Sequence, residues 1–289
     1  MKAAILPDRG VVKVAGDEGR TFLNGLLTAD VTKVTPRDAR FAALLTPQGK
    51  IIVDCIVVED NGAFLLDCPR ELAPALADRL KFYKLRAKVT IEDLSQQLAV
   101  LAIWDGTAAI KGAFADPRLP ALARRAILPA QTAKQTVAAA GAQLVDTADY
   151  EAHRIGLGVP RGGIDFAYGD AFPHETDMDQ LNGVDFEKGC YVGQEVVSRM
   201  EHRGTARNRV VPVTSDGQPP GSGIPVMAGE KQIGLTGSAA GRQGLALLRL
   251  DRVADAQAAG TALTAGGVTI KLRKPDWARF PFPGEKAAE

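Results

Sequence analysis

Lys188-Gly189-Cys190-Tyr191-Val192-Gly193-Gln194-Glu195-Val196-Val197-Ser198-Arg199 is the stretch on which the reading of this chain turns. Two glycines bracket a cysteine and a tyrosine, and the residues behind them adopt helical spacing. Val196, Val197 and Met200 mark a buried side, Glu195 and Arg199 stand at i,i+4 where opposite charges pair, and Gly204 can close the helix. The pattern predicts a tight turn running into a helix, with Cys190 at or just before the helix N-terminus. Backbone N–H groups and the helix dipole favour a thiolate there, and Lys188 adds positive charge. Such a thiolate is a nucleophile or a soft metal ligand. The bland alternative is a small buried apolar residue, as most free cysteines are.

Upstream, residues 156–193 are rich in glycine and lose periodicity, as segments that line binding sites often do. Residues 147–155 read as a helix capped by Thr147 or Asp149, and 132–140 as an alanine-rich helix closed by Gly141. The first hundred residues alternate strands (11–15, 41–46, 50–59, 62–67, 88–91, 97–104) with helices from Asp17 and over 71–83. Asn61-Gly62 marks a hairpin, since a type I′ turn needs positive φ at both central residues. This order predicts an α+β class, not a doubly wound nucleotide fold. Downstream, short strands at 209–214, 231–236, 245–250 and 268–272 are divided by Gly/Pro turns and predict a small β-barrel or sandwich. The expected modules are 1–100, 101–204 and 205–289, the first two interleaved.

Of the 289 residues, 46% are hydrophobic and 24% charged, ordinary for a globular chain. A formal net charge of +1 provides no field toward nucleic acid or anionic membrane. Cys55, Cys68 and Cys190 lie far apart, and the three histidines (His153, His174, His202) form no HExxH. Neither a disulfide framework nor a complete metal site is expected. The N-terminus lacks a signal-like apolar run, no stretch reaches the roughly 18 apolar residues of a membrane span, and a cytoplasmic protein is the expectation. Arg199, His202, Arg203, Arg207 and Arg209 form a basic stretch without interleaved aromatics and with Glu201 inside it, a pattern of salt bridges more than of RNA binding.

The block Lys188–Glu195 resembles the KGC[FY]xGQE signature of YgfZ-type folate-binding proteins, relatives of the glycine-cleavage aminomethyltransferase. Phe22-Leu23-Asn24-Gly25-Leu26-Leu27-Thr28-Ala29-Asp30-Val31 is similar to that family's FLxGLLTxDV, Thr46-Pro47-Gln48-Gly49-Lys50 to its TPxGK, and Arg154-Ile155-Gly156-Leu157-Gly158-Val159-Pro160 to its RIxxGxP. Arg203-Gly204 and Arg207 follow the family's RG…R continuation. The resemblance implies an aminomethyltransferase-like folate-binding fold: three modules in a ring with a C-terminal small β-barrel. It further implies a tetrahydrofolate (or one-carbon derivative) cofactor and a role in assembly, insertion or repair of iron–sulfur clusters with client or assembly proteins. Within it, Cys190 and Lys188 carry the chemistry. Arg154, Lys188, Arg199 and Arg203 are candidates for the glutamate tail of folate, Tyr191 for flanking the pterin, and Gln194 and Glu195 for contacting ligand or orienting neighbours. Asp54, in an apolar strand, either faces a cavity or is a hydrogen-bonded structural carboxylate.

The rival readings are a glycine-cleavage-type aminomethyltransferase and a non-catalytic folate-binding scaffold. Matched without gaps, the transferase's catalytic aspartate falls on Val53 and its pterin-gripping glutamate on Gly156. A valine can neither move a proton nor stabilise an iminium cation.

Overall fold

The computed structural model describes residues 1–106, 110–204, 206–217 and 219–284. Two compact units emerge: Met1–Tyr150 with Leu181–Gln194, and Glu151–Gln180 with the chain from Glu195 onward.

The first unit runs β1 (Lys2–Leu6), β2 (Arg9–Ala15), α1 (Gly19–Asn24), β3 (Arg40–Leu45), β4 (Ile51–Asp60), β5 (Ala63–Pro69), α2 (Ala73–Lys84), β6 (Thr90–Asp93), β7 (Leu98–Trp104), β8 (Phe114–Ala115), β9 (Arg124–Pro129), α3 (Ala133–Ala139) and β10 (Gln143–Leu144). One sheet, antiparallel throughout, has the order β3-β4-β5-β2-β6; the other, β10-β1-β7-β9-β8, is antiparallel except for the parallel pair β10-β1. Asn61 (φ 49) and Gly62 (φ 78) make the hairpin turn that joins β4 to β5, in register Asp60↔Ala63. Leu76, Ala77 and Leu80 recur at helical spacing along α2. With Leu23 and Leu27 they bury the face of the first sheet formed by Val12, Val14, Leu44, Val57 and Leu66. Ala133 and Val137 of α3 cover Leu101, Ile103 and Ala126 of the second sheet in the same way.

A buried ionic chain joins the two sheets. Asp67 of β5 accepts from Arg9 Nε of β2 and Arg125 Nη1 of β9, each at 2.6 Å. Arg125 continues to Asp116 at 2.8 Å, Arg118 forks onto the same carboxylate at 3.0 and 2.7 Å, and both arginines reach the Tyr150 hydroxyl. Charges this deep persist because each is paired. The two guanidiniums hold the Asp116 carboxyl below the usual range against burial, which pushes it up. Sequence reasoning missed this network. Its signal was a lone acid, Asp67, in the otherwise apolar strand Ala63–Pro69 and the arginine pair that opens the strand Arg124–Pro129.

α4 (Thr147–Leu157) leads into the second unit; the chain is irregular over 158–193 apart from one isolated bridge, Gly162↔Phe166, with 181–194 returning to the first unit, and then forms α5 (Gln194–Arg203). β11 (Asn208–Ser215), β12 (Pro225–Ala228), β13 (Lys231–Ala240), β14 (Gln243–Arg249), β15 (Leu263–Ala265) and β16 (Val268–Leu272) close a barrel in the order β11-β14-β13-β12-β15-β16. Closure removes free strand edges. α6 (Leu250–Ala258) packs Val253 and Ala256 on a core with Val211, Val213, Val226, Ala246, Leu248 and Ile270.

Candidate functional site

The motif at 188–193 is a latch within the first unit. α1 is only six residues long, and the carbonyls of its last residue, Asn24, and of Leu27 and Ala29 beyond it converge on one point. Lys188 Nζ occupies it, donating to them at 2.7, 2.6 and 2.9 Å. An ammonium has three donors, and all are used. Carbonyls at a helix end carry the negative pole of its dipole, which suits a cation. Burial lowers the Lys188 ammonium to about 8, against the pull of Asp30 and Asp185. Thr28 adds a second tie, donating to Gly183 O at 2.6 Å and accepting from Ala43 N at 2.8 Å.

The rest of the loop alternates inward and outward. Tyr191 is buried with its ring centroid 5.1 Å from Lys188 Nζ, and its hydroxyl has no hydrogen-bond partner among the described residues. Burial pushes that phenol up to about 12. Val192 packs on the sheet core. Gly193 (φ 83) lies so close to the Thr46–Lys50 hairpin that a Cβ would sit 2.6 Å from Thr46 O, so only glycine fits. Gly189 and Cys190 face solvent. Cys55 and Cys68 are buried and their thiols pushed up, Cys68 to about 12, which leaves Cys190 as the accessible sulfur.

The structure corrects the expected source of Cys190 reactivity. The helix begins at Gln194, four positions beyond Cys190 and outside the first turn in which a dipole acts. Lys188 spends its donors on carbonyls, not on the thiol. Arg154 is likewise committed: it reaches Glu151 at 2.8 Å, Asp165 at 3.1 Å, Ser238 at 2.8 Å and the Val159 carbonyl, and is 2% exposed. It ties its own turn together and has no donor left for a folate tail. Asp54 is buried in β4 within the field of Arg9, which pairs with Asp67. Val53 packs in the sheet core, and Gly156 offers its carbonyl to Arg273 at 2.6 Å. Glu195 and Arg199 form the predicted i,i+4 pair on an exposed face, Arg203 is exposed near the helix end, and Gln194 is half-buried. Asp54, Lys188, Cys190, Tyr191 and Gln194 thus belong to the first unit, and Arg154, Glu195, Arg199 and Arg203 to the second.

Beside the latch lies a cavity of about 560 Å³, within the range of small-molecule sites. Phe186, Val184, Pro117 and Ala39 supply apolar wall, Arg37 and Arg40 cations, and Asp185 and Glu187 carboxylates. Folate needs an apolar slot for the pterin, an acceptor for its amino edge and a cation for its tail, and this lining contains all three.

Residues 207–280 match the CAF17 C-terminal beta-barrel domain. The glycine cleavage system aminomethyltransferase T of Bartonella henselae superposes with a TM-score of 0.75 at 15% identity, covering 97% of this chain and 87% of that one. The fold is therefore the aminomethyltransferase-like fold. Among sequence relatives, the Mycosarcoma maydis "Iron-sulfur cluster assembly factor IBA57 homolog, mitochondrial" is 37% identical over 77% of this chain, which spans 60% of that protein's length. The IBA57 proteins of Mus musculus and Homo sapiens are 33% and 30% identical, over 86% and 94% of this chain and 77% and 84% of theirs. All three are named mitochondrial, which overturns the cytoplasmic expectation. That expectation rested on a missing apolar run, whereas mitochondrial transit peptides are amphipathic and basic. These relatives carry the IBA57 name and not the related YgfZ-type label, and the chain belongs to the family of IBA57 iron–sulfur cluster assembly factors.

Proposed function

We propose that this chain is an accessory factor for the assembly, insertion or repair of iron–sulfur clusters in client proteins, and that Cys190 is its working group. The observation that carries the reading is one exposed sulfur on a loop whose flanks, Lys188 and Tyr191 to Gly193, are locked into the fold. A thiolate is a soft ligand suited to iron and a partner for thiol exchange. Rigid flanks present it at a defined place. The test is complementation: cells lacking the protein receive wild type, Cys190→Ser or Cys190→Ala, and the activity of a cluster enzyme is measured. Both variants should fail at wild-type abundance. Full rescue by either would remove Cys190 from the mechanism.

The finer reading, drawn from the YgfZ-like motifs, is that tetrahydrofolate binds in the cavity beside the latch. Bound there, it would supply a one-carbon or reducing centre. Arg37 and Arg40 would hold its tail, Phe186 would stack on the pterin and Asp185 would accept from its amino edge. Anaerobic calorimetry with tetrahydrofolate tests this on wild type, an Arg37→Ala/Arg40→Ala variant and Cys190→Ala. Binding should weaken in the first variant and persist in the second. No binding to wild type would remove folate and leave the cluster role standing. Aminomethyl transfer draws no support from Val53 or Gly156, both of which serve as packing and backbone positions.

A further inference from the structure

After α2 the chain makes a tight turn, with Ala87 N–H donating to Lys84 O at 2.8 Å. Leu85 holds its first central position at φ 46, ψ −106, a conformation that ordinarily takes glycine. A bulky side chain at positive φ is strained, and such strain concentrates where a function requires it. Leu85 is 89% exposed, and Phe82, one turn back on α2, is 73% exposed. No burial among the described residues accounts for either. Residues 79–88 contain Arg79, Lys81, Lys84, Arg86 and Lys88 and no carboxylate, in a chain whose formal net charge is +1. Lys81 pairs with Asp78 at 3.1 Å, and among the described residues no acid pairs with the side chains of the other four.

The turn is clamped on both sides. Leu80 anchors the helix in the core, and beyond the turn Lys88 N–H donates to Glu18 Oε2 at 2.6 Å while Val89 is buried. Gly16 (φ 122) admits the returning strand so closely that a Cβ there would lie 2.2 Å from Lys88 O. Leu85 is thereby held in its costly conformation instead of relaxing.

We propose that Leu85 and Phe82 form a docking knob for a partner protein that offers an apolar pocket rimmed by Asp and Glu. The two side chains would fill the pocket, and the ring of cations would steer and register the encounter. A fluid membrane gains nothing from a fixed turn geometry, and two apolar side chains are a small insertion. A shaped protein pocket gains from both features. The docking site is independent of the chemistry assigned to Cys190.

The test places p-benzoylphenylalanine at position 82 of the full chain and irradiates the cells that make it, reading adducts by mass spectrometry. The expected result is one dominant protein adduct whose cross-linked peptide is rich in Asp and Glu. Its yield should drop at least about tenfold, the equivalent of one lost anchor, in Lys84→Glu/Arg86→Glu and in Leu85→Gly. Leu85→Gly also relieves the turn, so its Tm should rise, which separates loss of docking from loss of folding. Lipid adducts, an adduct peptide without acids, or a yield untouched by both variants would overturn the proposal. Cosedimentation with phosphatidylserine vesicles that disappears in Leu85→Gly would assign the knob to membrane instead.

Discussion

Lys188 and Arg154 invite comparison because each is a cation of a motif, each is buried, and neither is free to hold a ligand. Lys188 is a point charge on a flexible stem, surrounded by three carbonyls of the α1 turn and paired with no carboxylate within hydrogen-bond reach. Arg154 is a planar fork set against Glu151 and Asp165, with a hydroxyl and a carbonyl on its remaining donors. The lysine is satisfied by dipoles and so pays for burial in its titration, falling to about 8. The arginine cannot lose its proton and is balanced by charge. One motif is therefore a latch whose contribution to stability varies with pH, and the other a fixed strut.

The largest effect should come from breaking the strut. Arg154→Met leaves Asp165, which is fully buried, without its counter-charge, and should cost about 3–5 kcal/mol in denaturant unfolding. A loss under about 1 kcal/mol would mean that the carboxylates find water or new donors. Opening the latch comes next: Lys188→Met strands three carbonyls and should cost about 1–3 kcal/mol near neutral pH. Its pH dependence sharpens the contrast. The folded ammonium titrates near 8 against an ordinary 10.5, so between these values the unfolded chain holds more protons and the group's contribution to stability rises with pH. Urea midpoints at pH 7 and 10 should therefore diverge more in wild type than in Lys188→Met, whereas Arg154→Met should keep the wild-type slope. The smallest change in stability is expected at the thiol between latch and helix. Cys190→Ser should shift stability by no more than about 0.5 kcal/mol, as exposed sites do. Maleimide should nonetheless label Cys190 in the folded protein, reaching Cys55 and Cys68 only after denaturation. Labelling of either buried thiol at the native rate would contradict the packing of β4 and β5.

Much of the fold was legible. The Asn61-Gly62 hairpin, α2, the helix after Gly193 and the strands of the barrel follow from periods and turn residues acting over a few positions. β1, β12 and β15 escaped notice because strands of three to five residues barely register a period. α6 was missed as well, since its start continues the apolar run of β14. At the site, the residues were identified but their directions were not. Lys188 was read with its neighbour Cys190, yet its partners lie 159 to 164 positions away in the α1 turn.

By itself, then, the sequence determined the α+β class, the short C-terminal strands, the motif that marks the site and the i,i+4 pair on its helix, all consequences of local spacing and backbone chemistry. Tertiary structure alone decided that Lys188 faces carbonyls, that Arg154 is a strut, that Cys190 is the exposed sulfur and that Leu85 is displayed under strain. Which way a side chain points is set by donors, acceptors and excluded volume contributed from distant parts of the chain, and no local period carries that information.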